Sequence, residues 1–159
     1  MTDLDAIDLR LLDLLQIDAS RSNQDLAAAA NVSPATALRR VRRLVDAGVI
    51  ERQIAIVSPL AVGAGLTALA EITLDRQGAE HLDEFEAIAV ADPGVQQCYR
   101  VSPGPDFMLV LRVTDMAGYH LLAQRLFTQH ANVRNVKAFF AVTRAKFDPR
   151  IALTLQTSG

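Results

Sequence analysis

The chain has 159 residues, 16 basic against 18 acidic, with 50% hydrophobic and 21% charged residues and a single cysteine, Cys98. That is a globular composition, long enough for one ordinary domain or two small ones, each able to bury a core. It excludes an intrachain disulfide and zinc sites built on several cysteines. With a formal net charge of −2, any DNA binding has to come from a local basic patch.

The first 50 residues predict three short helices. In "LDAIDLRLLDLLQID", Leu4, Ile7, Leu11, Leu14 and Leu15 recur at three- and four-residue steps, one face of a helix. Asp5 and Asp8 sit near its start, where carboxylates favour the positive end of the helix dipole. In "SNQDLAAAAN", Ser22 offers an N-cap with Asp25 three residues on, a loose capping box, and the helix ends near Asn31. In "VSPATALRRVRRLVDAGVI", Ser33 is the N-cap, Pro34 takes the first helical position and Gly48 falls just past the end. Residues 49–63 alternate through Ile50, Ile54 and Ile56 before Pro59 and Gly63, which predicts one extended connecting strand and a turn.

From residue 66 the period becomes that of a strand. In "LTALAEITL", Leu66, Ala68, Ala70, Ile72 and Leu74 face one way, with Thr67, Glu71 and Thr73 on the other side. Residues 78–91 predict a helix with Leu82, Phe85, Ile88 and Ala89 inward, and strands follow at 95–101 and 107–113. Asp115 caps a helix running to about His130, with Tyr119, Leu122, Leu126 and Phe127 inward, and a last strand covers 133–142. The order β-α-β-β-α-β predicts a ferredoxin-like, α+β domain with both helices on one sheet face. Strand 107–113 is apolar on both faces, so the open side is expected to be covered by a second copy of the chain.

Four arginines, Arg39, Arg40, Arg42 and Arg43, crowd the third helix. On a helical projection Leu38, Val41, Leu44 and Val45 form a core-facing stripe, Thr36, Arg39 and Arg43 point away from it, and Arg40 and Arg42 flank it. A basic ridge on the third of three short helices predicts a helix-turn-helix of the winged type, with Ala30-Asn31-Val32-Ser33 as its turn. The candidate DNA-contacting residues are Ser33, Ala35, Thr36, Arg39, Arg40, Arg42 and Arg43. The N-terminal ones would reach base edges, and the later arginines, Arg43 above all, would hold phosphates. The bland alternative is a solvated basic face.

These stretches carry a resemblance. "LDAIDLRLLDLLQIDAS" and "DLAAAANVSPATALRRVRRLVDAGVIERQIAIVSPLAVG" resemble the opening of the Lrp/AsnC (leucine-responsive, feast/famine) transcriptional regulators. "GVQQCYRVSPGPDFMLVLRVTD", "YHLLAQRL" and "NVRNVKAFFAVTRAK" are similar to their ligand-sensing domain, and the likeness spans residues 2–150. It implies a DNA-binding dimer that assembles into tetramers or octamers and responds to an amino acid or another small metabolite. It also places an effector cleft at Arg100, Ser102, Gly104, Asp106, Phe107, Val136 and Ala138.

Two features depart from the family pattern. The turn before the 107–113 strand reads Pro103-Gly104-Pro105-Asp106-Phe107, where members usually carry Gly-Asp-x-Asp-Tyr, and Val136 and Ala138 stand where threonines are usual. Fewer polar partners for an amino acid's charged ends imply a more apolar ligand, or none. Asp106 is open to two roles, anchoring a ligand's amine or closing the turn on the backbone. Arg100 would pair a ligand carboxylate or project into solvent.

The remaining motifs are weaker. "GAGLTA" at 63–68 precedes a strand, which fits a turn and not a dinucleotide site. His81, His120 and His130 are scattered, Cys98 reads as a packed residue against the alternative of a nucleophile, and neither a metal nor a cofactor is expected. A non-enzyme is expected. The alternatives are a tetrapyrrole (siroheme) decarboxylase on the same two-domain plan, which would need catalytic histidines and no basic ridge, and a DNA-free sensor or assembly protein. "MTDLDAIDLR" lacks the basic, apolar pattern of a secretory signal, and no apolar run approaches ~18 residues, so a cytoplasmic protein without a membrane span is expected. The expected organisation is 1–52 helix-turn-helix, 53–65 strand linker and turn, 66–150 sensing and oligomerisation domain, and 151–159 tail.

Overall fold

The structure is a computed structural model that describes residues 3–154. The described residues form two compact units, 3–56 with 146–154, and 57–145.

In the first unit, helices α1 (Ala6–Ile17), α2 (Asn23–Ala30) and α3 (Pro34–Asp46) enclose a small core. The capping box is on α1: Asp5 accepts from the Ile7 and Asp8 amides, and Asp8 accepts from the Asp5 amide at 3.1 Å. At α2, Ser22 caps the Asp25 amide, but its hydroxyl donates to Asp25 Oδ2 at 2.6 Å in place of the reciprocal backbone bond. Asn31 ends α2 in the left-handed region, φ 55 and ψ 46, a conformation a short polar side chain tolerates. Ser33, Pro34 and Gly48 (φ +70) bound α3 as the sequence predicts.

Leu11, Leu26, Ala27, Ala30 and Ala37 form the core of this unit, with Ile7, Leu14, Leu15, Val32 and Val41 around it. Alanines at the helix crossings let the backbones come close. Among the described residues this unit has no β-strand, so neither a wing nor a paired connector strand forms within the chain. Alternation supplies the pattern of a strand, but a ladder also needs a partner. The returning segment 146–154, expected to divide between the second domain and a tail, groups with the first unit. There the Gln16 side-chain amide acts as a second peptide group, donating to the Ile151 carbonyl at 3.1 Å and accepting from the Ile151 amide at 2.8 Å.

The second unit runs β1 (Leu66–Leu74), α4 (Ala79–Ala91), β2 (Val95–Arg100), β3 (Phe107–Val113), α5 (Met116–Ala123) and β4 (Val133–Phe140). After Ala123 the helix widens into a π-helical turn, Gln124–Thr128. The sheet order is β2-β3-β1-β4, antiparallel throughout, the expected ferredoxin-like arrangement, with ends within a residue or two of those predicted. Ala68, Ala70, Ile72, Leu74, Phe107, Leu109 and Leu111 are buried beneath Phe85, Ala89, Tyr119, Leu122, Leu126 and Phe127.

One ion pair ties the α4–β2 turn to the π-helical turn. Asp92, with a side chain 7% exposed, accepts from Arg125 Nε and Nη2 and from the Gly94 amide. Arg125 chiefly, and then the Gly94 amide, hold its carboxyl below the ordinary aspartate value of 3.8, against the opposing effect of burial. A group with a depressed folded-state pKa stabilises above its unfolded pKa and loses that contribution as pH falls through the folded value. Asp92→Asn should therefore cost ~1–3 kcal/mol at neutral pH. In urea unfolding at stepped pH, the gap to wild type should close below pH 3.8. A gap that stays constant down to the lowest pH would refute the assignment.

Candidate functional site

On α3 the buried positions are Ala37 and Leu44, both 0% exposed, flanked by half-buried Arg40 and Val41. Leu38 and Val45, expected inward, are 40% and 49% exposed. The helix is thus rolled roughly 60° from the setting its large apolar residues predict, at 100° per residue. The centre of the inward face is held by Ala37, fully buried in the core of the unit, and hydrophobic weighting undervalues an alanine. The roll places Ala35, Arg39 and Arg42 on the exposed side. Arg39 and Arg42 make no hydrogen bond or ion pair among the described residues.

Arg40 and Arg43 behave differently. Arg40 Nη1 donates to Asp5 Oδ2 at 2.7 Å and to Asp8 Oδ1 at 2.9 Å, and Arg43 Nη2 donates to Asp8 Oδ2. The Asp5 carboxylate first, and then Asp8, raise the pKa of Arg40. The Asp8 backbone amide first, and then Arg40, lower that of Asp5. Arg43, expected to point away from the core toward phosphate, is bonded to the first turn of α1, although its side chain remains 45% exposed. Ser33 caps α3, and its hydroxyl donates to Thr36 Oγ1 at 2.9 Å, leaving the Thr36 hydroxyl hydrogen available to a ligand.

Of the residues expected at the effector cleft, four lie in neighbouring rows of the sheet and three in the 102–106 loop. Arg100, Phe107, Ile72 and Val136 lie in one cross-strand row, and Cys98, Leu109, Ala70 and Ala138 in the next. Both rows are on the helix-covered face, so Val136 and Ala138 pack against the core. Phe107 is fully buried, 5.0 Å from the Phe85 ring. Arg100 neither projects freely nor stands open to a carboxylate. It bonds Asp83 at 2.7 Å and Glu86 at 2.6 Å on α4, which raise its pKa, and it lies over the Phe107 ring. Asp106 closes the turn, its Oδ2 accepting from the Leu74 amide at 2.7 Å and from Gln77 Nε2 at 3.2 Å. Of the seven, Arg100, Ser102 and Gly104 are exposed, the last two in the loop, with Gly104 at φ +120.

Cys98 is half-buried, and desolvation first, with Glu86 adding, pushes its thiol pKa up, the opposite of an activated nucleophile. "GAGLTA" runs from the end of a turn, with Gly63 at φ +73, into the first residues of β1. Among the described residues no cluster of His, Cys, Asp or Glu fits a metal ion, and no helix is long and apolar enough to cross a membrane.

A basic, capped third helix in a three-helix unit, followed by a ferredoxin-like unit, defines a two-domain helix-turn-helix regulator. The AsnC-type helix-turn-helix domain matches residues 4–45, and the Lrp/AsnC ligand binding domain matches residues 67–151. The chain belongs to the Lrp/AsnC family of DNA-binding transcriptional regulators. It is 36% identical over 153 residues to an uncharacterized HTH-type transcriptional regulator of Haemophilus influenzae, covering 96% of this chain and 91% of that protein. It is 35% identical over 143 residues to the leucine-responsive regulatory protein of the same organism, covering 90% and 86%. Its fold matches that of an AsnC family transcriptional regulator from Agrobacterium tumefaciens with a TM-score of 0.88 at 28% identity, covering 94% and 97% of the two chains. A Neisseria meningitidis transcriptional regulator solved as its L-Met complex matches with a TM-score of 0.87 at 26% identity, covering 94% and 96%.

Proposed function

We propose that α3 enters the major groove of double-stranded DNA. Ser33, Ala35, Thr36 and Arg39 face the bases, and Arg42 holds the backbone. The unpaired, exposed guanidiniums of Arg39 and Arg42 carry this reading. Arg39→Ala should cost ~1–3 kcal/mol on the selected sequence and relax its preference. Arg42→Ala should weaken all sequences alike and lower the salt slope by about one. Both effects are measured by fluorescence anisotropy on duplexes selected from a random pool. A double variant, Arg39→Ala with Arg42→Ala, that binds like wild type would remove α3 from the interface.

Two copies associate through the open sheet face. The register puts Leu69, Val110 and Phe139 in one outward row and Glu71, Met108, Lys137 and Tyr99 in the next. Leu69, Phe139 and Tyr99 are 40%, 46% and 53% exposed, an apolar area that a second copy would cover. Light scattering should find dimers or larger species for the full chain, and Leu69→Asp with Phe139→Asp should shift the mass toward the monomer. A wild-type chain that stays monomeric at micromolar concentration would exclude this assembly.

The effector is a small apolar amino acid or metabolite, taken at the 102–106 loop. The L-Met complex of the Neisseria meningitidis relative supports this class. So does the engagement of Arg100 and Asp106 within the fold, which leaves few charged partners for a polar ligand. A thermal-shift screen of the twenty amino acids should give its largest shift with a hydrophobic side chain, following RT ln(1 + [L]/Kd). A large shift with asparagine that survives Asp106→Ala would contradict both the class and the site.

A further inference from the structure

Asp8 is the one described carboxylate whose burial is almost complete, at 1% exposed, and both of its oxygens are engaged. Oδ1 accepts from Arg40, and Oδ2 accepts from Arg43 and from the Asp5 amide. Asp5 completes the cluster with its own bond to Arg40 Nη1 at 2.7 Å. Two guanidiniums, Arg40 and Arg43, are therefore matched by two carboxylates, Asp5 and Asp8. Of the four arginines on α3, two, Arg39 and Arg42, have no counter-charge among the described residues.

The cluster also sets how α3 is rolled. Arg40 and Arg43 lie on the flank of α3 that meets the first turn of α1. Drawing that flank in leaves Leu38 and Val45 exposed on the other side, at 40% and 49%. Apolar burial alone favours the opposite roll, which would bring Leu38 and Val45 inward and move Arg39 and Arg42 around the helix. An internal ion pair of this kind contributes little net stability over an apolar replacement, but losing one partner leaves a buried charge unmatched. Its consequence here is geometric, because it decides which side chains of α3 face outward.

We propose that Asp8 is a positioning residue for DNA recognition: it holds Arg40 and Arg43 against α1, keeping them off the phosphates and fixing the roll of α3 that presents Arg39 and Arg42. The proposal rests on the reading of α3 as the DNA-contacting helix. Asp8 touches no DNA in this scheme and acts through the two arginines. By limiting the cations available to the backbone, it restrains binding to arbitrary sequences and widens the margin between a selected site and random DNA.

The test compares full-length wild type with Asp8→Asn, close to isosteric but uncharged, on a duplex selected by wild type and on its scrambled counterpart, across a potassium chloride series. Released guanidiniums should steepen the plot of log K against log salt on the scrambled duplex by about one to two units. Tighter binding to scrambled DNA and a rolled α3 should together narrow the preference for the selected duplex about tenfold, an order-of-magnitude expectation from a single lost or displaced base contact. A purely structural role would weaken both duplexes in equal proportion at unchanged slope, and that outcome in folded Asp8→Asn overturns the proposal. Arg43→Gln guards against a misfolded Asp8 variant. Its slope should match wild type if Asp8 holds Arg43 away from DNA, and a fall of about one unit overturns the proposal. Wild type that selects no sequence and binds no duplex at low salt would defeat the DNA-contacting reading of α3 itself, an outcome separate from an unchanged slope in the variants.

Discussion

The Asp8 carboxylate, closed off from water between Arg40 and Arg43, is the constraint around which the helical unit is arranged. An ionised group in that position is tolerable only when its lone pairs are filled. The donors come from α3 and from the start of α1, so filling them fixes the angle and roll of one helix against the other. The small core accommodates the result. Ala27, Ala30 and Ala37 lie in that core, where larger side chains would need room that only a wider spacing of the helices could supply. Arg10 adds a second tie, its Nε donating to the Ala29 carbonyl at 2.9 Å.

The same constraint resolves an apparent conflict in the charge. The chain as a whole is slightly acidic, yet α3 is dense in arginine. Part of that density is internal, neutralised by aspartates at the start of α1, and among the described residues only the outer pair, Arg39 and Arg42, lacks a carboxylate partner. A count of basic residues along a helix therefore overstates its pull on a polyanion. What matters for DNA is which guanidiniums lack a carboxylate of their own.

The second unit follows a different logic. Its sheet is covered on one face only, where Ala68 and Ala70 of β1 and Ala89 of α4 share the core with the packed rings of Phe85 and Phe107. At the α4–β2 turn, a Cβ on Gly94 would press on the buried Leu122 side chain, which would have to shift. The charged groups near the 102–106 loop serve the fold: Asp106 closes a turn, and Arg100 braces β2 against α4. A loop whose charged neighbours are already engaged offers shape and apolar surface to a ligand more than it offers ion pairs.

Much of this was legible in the sequence because it is local. Helix periodicity, the Ser33-Pro34 start and Gly48 stop of α3, the alternation of β1 and the β-α-β-β-α-β order all depend on residues within a few positions of one another. The pairing of Asp8 with Arg40 and Arg43 spans 32 and 35 residues, and nothing in the spacing of either helix signals it. The D-x-x-D cap at Asp5 and Asp8 was the nearest clue, and it was readable only as a feature of α1. Val136 and Ala138 were placed at a cleft by the family resemblance, and which face they occupy is set by pairing with β1, where a shift of one residue reverses every side chain. The sequence by itself determined the elements and their order, since those follow from short-range sterics and periodicity. Only the tertiary structure decided the roll of α3, the partners of its arginines and the side of β4 that meets the core, since each depends on groups brought together from distant parts of the chain.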